Sequence, residues 1–293
     1  MKLVFFSALL PLGLTAAQPD STSGYATIGK LKMYYEIHGK NQRRHAVPAE
    51  GQSEAVSAEG QSQTVPLVLI HGGGSTIGTS FGHVLHAFAQ HREVIAVELQ
   101  AHGHTADIPR PLSFHQDADD IAALLQQLHI EKADFFGFSN GGQTAMDIGI
   151  RHPQLVRKLV IGSAFFKRSG AYDWFWPGFD NATLASMPQY LKDAYLDITH
   201  DSAGLERMFH RDVERMKNFR DWPDEEIKNV QAPTLLIIGD QDLVRPEYAV
   251  ELSRMMPHAR LFILPGHHGE YLESPGPLPL CTAAMIDEFL DAK

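Results

Sequence analysis

The sequence has few of the features that mark disulfide-bonded, nucleic-acid-binding or metal-binding proteins. Cys281 is the only cysteine, so no intrachain disulfide can form, and we expect this side chain to pack as a small hydrophobic residue. The net charge of −10 argues against a nucleic-acid partner, because such proteins bind through clustered Lys and Arg. The 16 histidines are not accompanied by a carboxylate-rich cluster at ligand spacing, so we expect no metal and no other cofactor.

Long apolar runs are also missing, except for a short one at the start of the sequence. Lys2 is followed by LVFFSALLPLGL at 3–14 and then by small residues that end at Ala17. A positively charged N-terminal region, an apolar stretch too short to span a bilayer and a cleavage site of small residues are typical of a secretory signal. We therefore predict that residues 1–17 are a signal peptide, that the protein is secreted or periplasmic, and that no stable membrane anchor remains after cleavage. An uncleaved anchor or a buried first strand is the alternative interpretation.

The rest of the chain, residues 18–293, is predicted to be a single α/β domain. From Val65 onward, short apolar runs alternate with helical stretches, a pattern that indicates a parallel sheet covered on both faces. A helix is predicted over 113–130, with Ser113 and Gln116 as its capping box. Two strands are predicted within 25–39, joined at Gly29-Lys30, and six more follow at 65–70, 93–99, 133–139, 158–164, 233–240 and 259–266.

Two segments interrupt this alternation. Residues 40–64 are polar, lack aromatic side chains and repeat AEGQS, so we predict a disordered surface insertion without a catalytic role. Residues 165–228 are too long for a bare loop and begin with a dense group of aromatic residues. We predict a lid over the carboxyl edge of the sheet, in which Trp174 and Trp176 contact the substrate. Roughly half of the aromatic residues are expected only to pack the lid onto the core.

The segment GFSNGG at 137–142 places a serine between glycines where a buried strand gives way to a helix. This context makes Ser139 a candidate nucleophile of the G-x-S-x-G type. The glycines allow a sharp turn that points the serine oxygen out of the sheet, and the N-terminus of the following helix favours developing negative charge. Phe138, inside the same motif, is predicted to contact the substrate.

Three glycines at 72–74 end an earlier strand, and their backbone N–H groups can approach an oxyanion closely. We predict that the N–H groups of Gly73 and Asn140 form the oxyanion hole. Gly72 and Gly74 are the alternative donors. A merely flexible turn is the structural alternative for all three glycines.

Candidates for an acid and a base follow in the order that this nucleophile motif requires. Asp240 and Asp242 come at the end of one strand, and His267 and His268 come after the next. A buried carboxylate in that position holds an imidazole in one tautomer and stabilises its charged form. Asp240 is alternatively a turn residue, which is the usual reason for aspartate after a strand. Position alone does not choose between the two histidines.

Together with VELQAHGHTAD at 97–107, these segments resemble the α/β-hydrolase fold superfamily, in particular its lid-bearing serine esterase, lactonase and C–C hydrolase branch. The resemblance covers nearly everything from Tyr25 onward. It implies a mostly parallel sheet with helices on both faces and a helical lid inserted before the acid-bearing strand. It assigns the acid to Asp242, the second carboxylate after the strand, and the base to His268, which lies five residues before Glu273.

The sequence departs from the family pattern at two places. Glu98 stands where the family often has aspartate, and AHGHT at 101–105 replaces the usual G-x-G. Neither departure touches the triad, but both shape the wall of the pocket. Serine at position 139 sets the chain apart from the epoxide hydrolases and haloalkane dehalogenases of this fold, which use aspartate there.

The resemblance therefore implies a serine hydrolase that cleaves carboxylic esters of small to medium apolar substrates through a Ser-His-Asp triad and an acyl-enzyme. The expected partner is a small-molecule ester or lactone. The same triad also opens lactones or cleaves C–C bonds beside a ketone, and the sequence leaves these activities open. A non-catalytic protein that binds a hydrophobic ligand on the same fold is a further alternative, which the complete triad disfavours.

Overall fold

A computed structural model describes residues 21–39 and 65–292 of the chain. The predicted signal peptide and the predicted insertion at 40–64 lie outside the described residues, so both stay predictions. Eight strands are present in the described chain: β1 Ser21–Ile28, β2 Leu31–His38, β3 Leu67–Ile70, β4 Val94–Val97, β5 Ala133–Phe138, β6 Val156–Gly162, β7 Thr234–Gly239 and β8 Ala259–Leu264. Each lies within or overlaps a predicted strand.

The strands form one mostly parallel sheet in the order β1-β2-β4-β3-β5-β6-β7-β8. β1 and β2 form an antiparallel hairpin, which turns at Gly29 with φ at 59°, and β2 pairs antiparallel with β4. The remaining pairs are parallel. Every residue of β3, β4, β5 and β7 is buried, as expected for uninterrupted apolar strands that are covered on both faces.

Helices cover both faces of this sheet. In the described chain they are α1 Ile77–Phe81, α2 Leu85–His91, α3 Phe114–Gln127, α4 Asn140–Arg151, α5 Gln189–Thr199, α6 Ser202–Lys217, α7 Asp224–Lys228, α8 Pro246–Met255, α9 Glu270–Glu273 and α10 Leu278–Asp291. Val68 and Ile70 of β3 pack in the same core as α3, α4 and α8, whereas Leu67 and Leu69 pack with α1, α2, α9 and α10. The alternation of side chains along each strand thus divides the core into two layers.

The segment at 165–228 connects β6 to β7 and contains helices α5, α6 and α7. Short 3-10 helices precede them at Arg168–Gly170, Asp173–Phe179 and Leu184–Ser186. Apolar side chains of α5 and α6 form a third small core, which also includes Ala101 of the main domain. In the part of the chain that the structure describes, no helix combines the length and apolar character needed to cross a membrane.

Two local predictions are wrong. Ser113 stands at the N-cap of α3, but its side chain makes no capping hydrogen bond. Gln116 instead donates to Asp120 Oδ1 at 3.1 Å, so the predicted capping box does not form. Cys281 is exposed rather than packed, because it lies on the face of α10 that points away from the core.

Candidate active site

Ser139 lies in a tight turn between β5 and α4, with φ at 54° and ψ at −119°. This conformation is strained for a residue with a side chain, and the surrounding structure must enforce it. A Cβ on Gly137 would lie 2.0 Å from Gly141 O, and one on Gly141 would lie 2.0 Å from Ile70 O. Both positions therefore require glycine. The Ser139 N–H donates to Gly162 O at 2.8 Å, which anchors the turn to β6.

The three residues of the predicted triad meet at the carboxyl ends of β5, β7 and β8. His268 Nε2 lies 3.1 Å from Ser139 Oγ, and His268 Nδ1 lies 2.7 Å from Asp242 Oδ1. A carboxylate only accepts hydrogen bonds, so Nδ1 carries the proton and Nε2 is free to accept the serine proton. This is the geometry of a serine activated by a histidine base.

Asp242 is buried and fully hydrogen-bonded. Its Oδ2 accepts from Ser163 Oγ at 2.5 Å, and its Oδ1 also accepts from Val244 N at 3.2 Å. Burial by itself would raise the pKa of Asp242, but the charge and hydrogen bond of His268 and the bond from Ser163 lower it. Burial would likewise lower the pKa of His268, but the charge of Asp242 raises it. Ser163 was not predicted, since its only signal in the sequence is its place just after β6.

The neighbouring acid and histidine point elsewhere. Asp240 Oδ1 accepts from Gly266 N at 2.8 Å, which makes it a turn residue between the ends of β7 and β8. His267 Nδ1 lies 3.4 Å from Gln241 O, and its backbone N–H donates to Glu270. The structure thus brings Asp242 and His268 to the serine and leaves Asp240 and His267 as loop residues.

The glycine loop at 72–74 lies beside the serine, where a Cβ on Gly72 would come within 3.4 Å of Ser139 Cβ. The N–H groups of Gly72 and Gly74 are already bound, to Ser80 Oγ at 3.2 Å and to Asp212 Oδ2 at 2.7 Å. Among the described residues, no hydrogen-bond acceptor is found for the Gly73 or Asn140 N–H groups. These two donors are therefore available for an oxyanion, whereas the alternative donors are not.

A cavity of about 660 Å³ opens above the serine and is lined mainly by apolar side chains of the 165–228 insertion. Trp174, Phe179, Leu191 and Met208 are among them. Among the described residues that line the cavity none is Lys, Arg or His, and the one charged residue is Asp212 of α6. Such a mostly apolar cavity beside a few polar groups is typical of a small-molecule site.

Two predicted substrate contacts are not in this cavity. Phe138 is buried beneath the site, where its ring lies against that of His268 with the centroids 5.1 Å apart and the planes tilted by 38°, so it supports the base instead of the substrate. Trp176 packs against Phe165 and Phe219 and donates through its indole N–H to Arg168 O. Its ring is partly buried against the core cluster to which Phe165 and Phe219 belong. Of the three predicted contacts, only Trp174 lines the cavity.

The fold and the arrangement of Ser139, His268 and Asp242 are those of a hydrolase whose nucleophile lies in a strand-to-helix turn. Comparison with known proteins identifies the family. The model of the alpha/beta hydrolase family matches residues 67–278. The chain therefore belongs to the alpha/beta hydrolase family and is a hydrolase. Among the described residues, no group of three or more His, Cys, Asp or Glu side chains is arranged to hold a metal ion.

Several relatives are distant but extend over most of the domain. The chain is 24% identical over 233 residues to the 2-hydroxy-6-oxo-2,4-heptadienoate hydrolase of Pseudomonas putida, covering 71% of this chain and 83% of that protein. It is 25% identical over 240 residues to the pimeloyl-acyl-carrier-protein methyl ester esterase of Nitrosospira multiformis, covering 71% and 89%. A solved serine hydrolase involved in carbazole degradation shares the fold with a TM-score of 0.72 at 19% identity, covering 94% and 100%.

Proposed function

We propose that the chain is a serine hydrolase that cleaves carboxylic esters with apolar acyl or alcohol groups. The observation that carries the proposal is the alignment of Ser139, His268 and Asp242 through contacts of 3.1 and 2.7 Å, with Ser139 lining an apolar cavity. Its expected site of action is outside the cytoplasm, secreted or periplasmic, as the start of the sequence predicts.

In this proposal His268 removes the proton from Ser139 as the serine oxygen attacks the carbonyl carbon. The N–H groups of Gly73 and Asn140 bind the resulting oxyanion, and Asp242 stabilises the imidazolium. Collapse of the tetrahedral species expels the alcohol, which takes its proton from His268 and leaves an acyl-enzyme. A water molecule, activated by the same histidine, then releases the carboxylic acid and restores the serine.

The chemistry of the cavity favours neutral substrates. The carboxylate of Asp212 is already bound to other groups, and the lining residues that the structure describes include no cation that could pair with a carboxylate on the substrate. An anionic substrate would lose its hydration there without compensation. The relative from P. putida is named for a dienoate, which is an anion. We therefore favour ester or lactone cleavage over C–C cleavage of carboxylate-bearing substrates.

The insertion at 165–228 acts as a lid in this proposal. It supplies most of the apolar wall, whereas the sheet supplies the reacting groups. The lid would therefore set the preferred chain length, and the triad would set the reaction.

Labelling with a fluorophosphonate probe separates an enzyme from a binding protein of the same fold. We expect the probe to modify Ser139 in the wild type and to leave Ser139→Ala unmodified, with the fold of both checked by circular dichroism. A wild-type protein that resists the probe and hydrolyses no ester would show that the chain binds ligands without catalysis.

The substrate class is tested by matched p-nitrophenyl esters. The butyrate and the monosuccinate both carry a four-carbon acyl group, and only the second has a carboxylate. We expect kcat/KM to be at least about 100-fold higher for the butyrate, because the carboxylate has no partner in the cavity. Acyl-homoserine and simple γ-lactones, assayed beside them, compare ring opening with ester cleavage. Equal rates on butyrate and monosuccinate would refute the preference for neutral substrates.

A further inference from the structure

Asp212, on helix α6 of the insertion, contacts the loop that carries the predicted oxyanion donor. Its Oδ2 accepts from Gly74 N at 2.7 Å and lies 3.0 Å from His102 Nε2. Its Oδ1 accepts from Arg215 Nη2 at 2.5 Å. The side chain is only 14% exposed, so protein groups and not water satisfy this carboxylate. No sequence motif described above includes Asp212.

The hydrogen bonds of His102 make it a buried cation. Its Nδ1 lies 2.9 Å from Gln100 O, a carbonyl that only accepts, so Nδ1 carries a proton. Its Nε2 lies 3.0 Å from Asp212 Oδ2, which only accepts, and 3.2 Å from Gly74 N. Gly74 N makes its shorter bond, 2.7 Å, to the same carboxylate, so we assign a proton to Nε2 as well. Burial would lower the pKa of His102, but the charge of Asp212 raises it. Burial would raise the pKa of Asp212, but Arg215 and His102 hold it well below its usual range.

The other side of the same loop is held by the main domain. His71 Nδ1 donates to Gly72 O at 2.7 Å, while its Nε2 accepts from Leu99 N at 3.0 Å, so this imidazole is neutral. Burial and the nearby His102 lower the pKa of His71 to about 3, in agreement with that assignment. Gly72 is thus fixed from the sheet and Gly74 from the insertion. Gly73 lies between these two anchors.

We propose that Asp212 is a positioning residue for the oxyanion hole: by accepting the Gly74 N–H it holds the adjacent Gly73 N–H in place for the oxyanion formed at Ser139. The inference rests on the proposed function and adds to it a requirement for helix α6. A loop of three glycines has no side chains to fix it and has wide conformational freedom. Its geometry therefore depends on anchors such as Asp212, and the hole is complete only when α6 is packed against the loop.

Asp212→Asn is the informative substitution because its amide cannot satisfy both neighbours. The amide oxygen will face Arg215, since a hydrogen bond to a charged donor is the stronger one. The NH₂ group then faces the Gly74 N–H, so the loop loses its short bond to the carboxylate and keeps only the longer contact of 3.2 Å between Gly74 N and His102 Nε2. A misplacement on the order of 1 Å costs roughly 10²-fold in rate. We expect kcat on p-nitrophenyl butyrate to fall by about 10- to 100-fold, with KM changed by less than about threefold.

Two inhibitors with the same alkyl chain separate positioning from a general structural defect. Ser139 Oγ adds to the carbonyl carbon of an alkyl trifluoromethyl ketone, and its proton passes to His268. The carbonyl oxygen becomes an oxyanion, which the N–H groups of Gly73 and Asn140 bind. The corresponding alcohol only fills the cavity. In Asp212→Asn we expect Ki for the ketone to rise in proportion to the loss of kcat/KM, and Ki for the alcohol to stay unchanged.

Glu214→Gln is the matched control, because it removes the same charge from an exposed position on the same helix. It should leave kcat, KM and the Ki values of both inhibitors at their wild-type values. If Asp212→Asn does not fold, Asp212→Glu keeps the charge beside Arg215 but displaces the acceptor by one methylene. It should likewise raise Ki for the ketone and leave Ki for the alcohol unchanged.

Three results would overturn the inference. If both inhibitors bind more weakly by the same factor, Asp212 is a structural residue of the pocket. If kcat, KM and both Ki values stay at wild-type values in Asp212→Asn, or in a folded Asp212→Glu, Asp212 has no positioning role. A wild-type protein that neither binds the ketone nor hydrolyses esters would refute the proposed function itself, and this inference with it.

Discussion

Replacing Asp242 with asparagine keeps the shape of the side chain and removes the charge that faces His268. The carboxylate now accepts the His268 Nδ1–H at 2.7 Å and is fully buried. Its Oδ2 accepts from Ser163, so an asparagine will keep its oxygen on one of these donors and turn its NH₂ group toward the other. When the NH₂ group faces Nδ1, the favoured tautomer carries its proton on Nε2, and the base can no longer accept from Ser139.

The size of the effect follows from the geometry. Unit charges 2.7 Å apart attract by about 6 kcal/mol at an effective dielectric constant of about 20. That energy stabilises the imidazolium that forms when Ser139 loses its proton. Each 1.36 kcal/mol of lost transition-state stabilisation is about tenfold in rate, so we expect kcat to fall by about 10⁴-fold.

The pH profile supplies a second readout of the same charge. The base works only as neutral imidazole, so kcat/KM rises with pH through the pKa of His268. Asp242 raises this pKa above the ordinary histidine value of 6.5, which places the acidic limb of the wild type above that pH. Removing the charge lowers the pKa, so the residual activity of Asp242→Asn should have its acidic limb at lower pH than the wild type.

Asp240→Asn is the control, because Asp240 binds Gly266 N in the same loop and its amide oxygen can still accept that bond. Its kcat should stay within about threefold of the wild type. Rates are measured on p-nitrophenyl butyrate between pH 5 and 9, with folding checked by circular dichroism. The reasoning is refuted if Asp242→Asn retains more than about a tenth of the activity, or if the large loss appears in Asp240→Asn instead.

Five further substitutions test the site. His268→Ala should lose about four to six orders of magnitude in kcat, whereas His267→Ala should stay within a few-fold of the wild type on the same ester, because only His268 contacts Ser139; the reverse order would contradict the assignment. Trp174→Ala should change the preference among p-nitrophenyl esters of rising chain length and leave Tm nearly unchanged. Trp176→Ala should lower Tm by roughly 5 °C and reduce every ester rate alike, since its ring packs against Phe165 and Phe219 of the main core cluster; a change in chain-length preference would place its ring in the cavity. Gly73→Ala would put a Cβ 2.3 Å from Asn140 Nδ2 and force the loop to shift, so kcat should fall by about 100-fold with little change in KM, and an unchanged kcat would exclude Gly73 from the oxyanion hole.

The reacting residues could be predicted because each follows a strand. Parallel strands place their carboxyl ends at one edge of the sheet, so residues such as Ser139, Asp242 and His268 meet there although 129 positions separate the first from the last. The strands themselves were visible as uninterrupted apolar runs. The choice of Asp242 over Asp240 and of His268 over His267 needed the resemblance to a known family, since strand ends alone do not fix the direction of adjacent side chains.

Other residues had no such signal. Asp212 lies on a helix rich in charged residues, where nothing in the sequence sets it apart from Glu206 or Glu214, and its partners His102 and Gly74 are 110 and 138 positions away. Trp174 and Trp176 are equally aromatic, and only the rotation of the short helix that carries them decides which ring reaches the cavity. Tertiary packing sets that rotation, so composition could not predict it.

The proposed base is carried by the outermost strand of the sheet. β8 pairs only with β7, whereas β5 and β7, which precede Ser139 and Asp242, have neighbours on both sides. Outer elements open by local fluctuations at a lower free energy than central ones. Each opening of β8 would carry His268 away while the serine turn stays folded, so heat should inactivate the protein before it melts the sheet. Substitutions that strengthen the packing of β8 on α8 would then prolong its working life more than equal gains in the central strands.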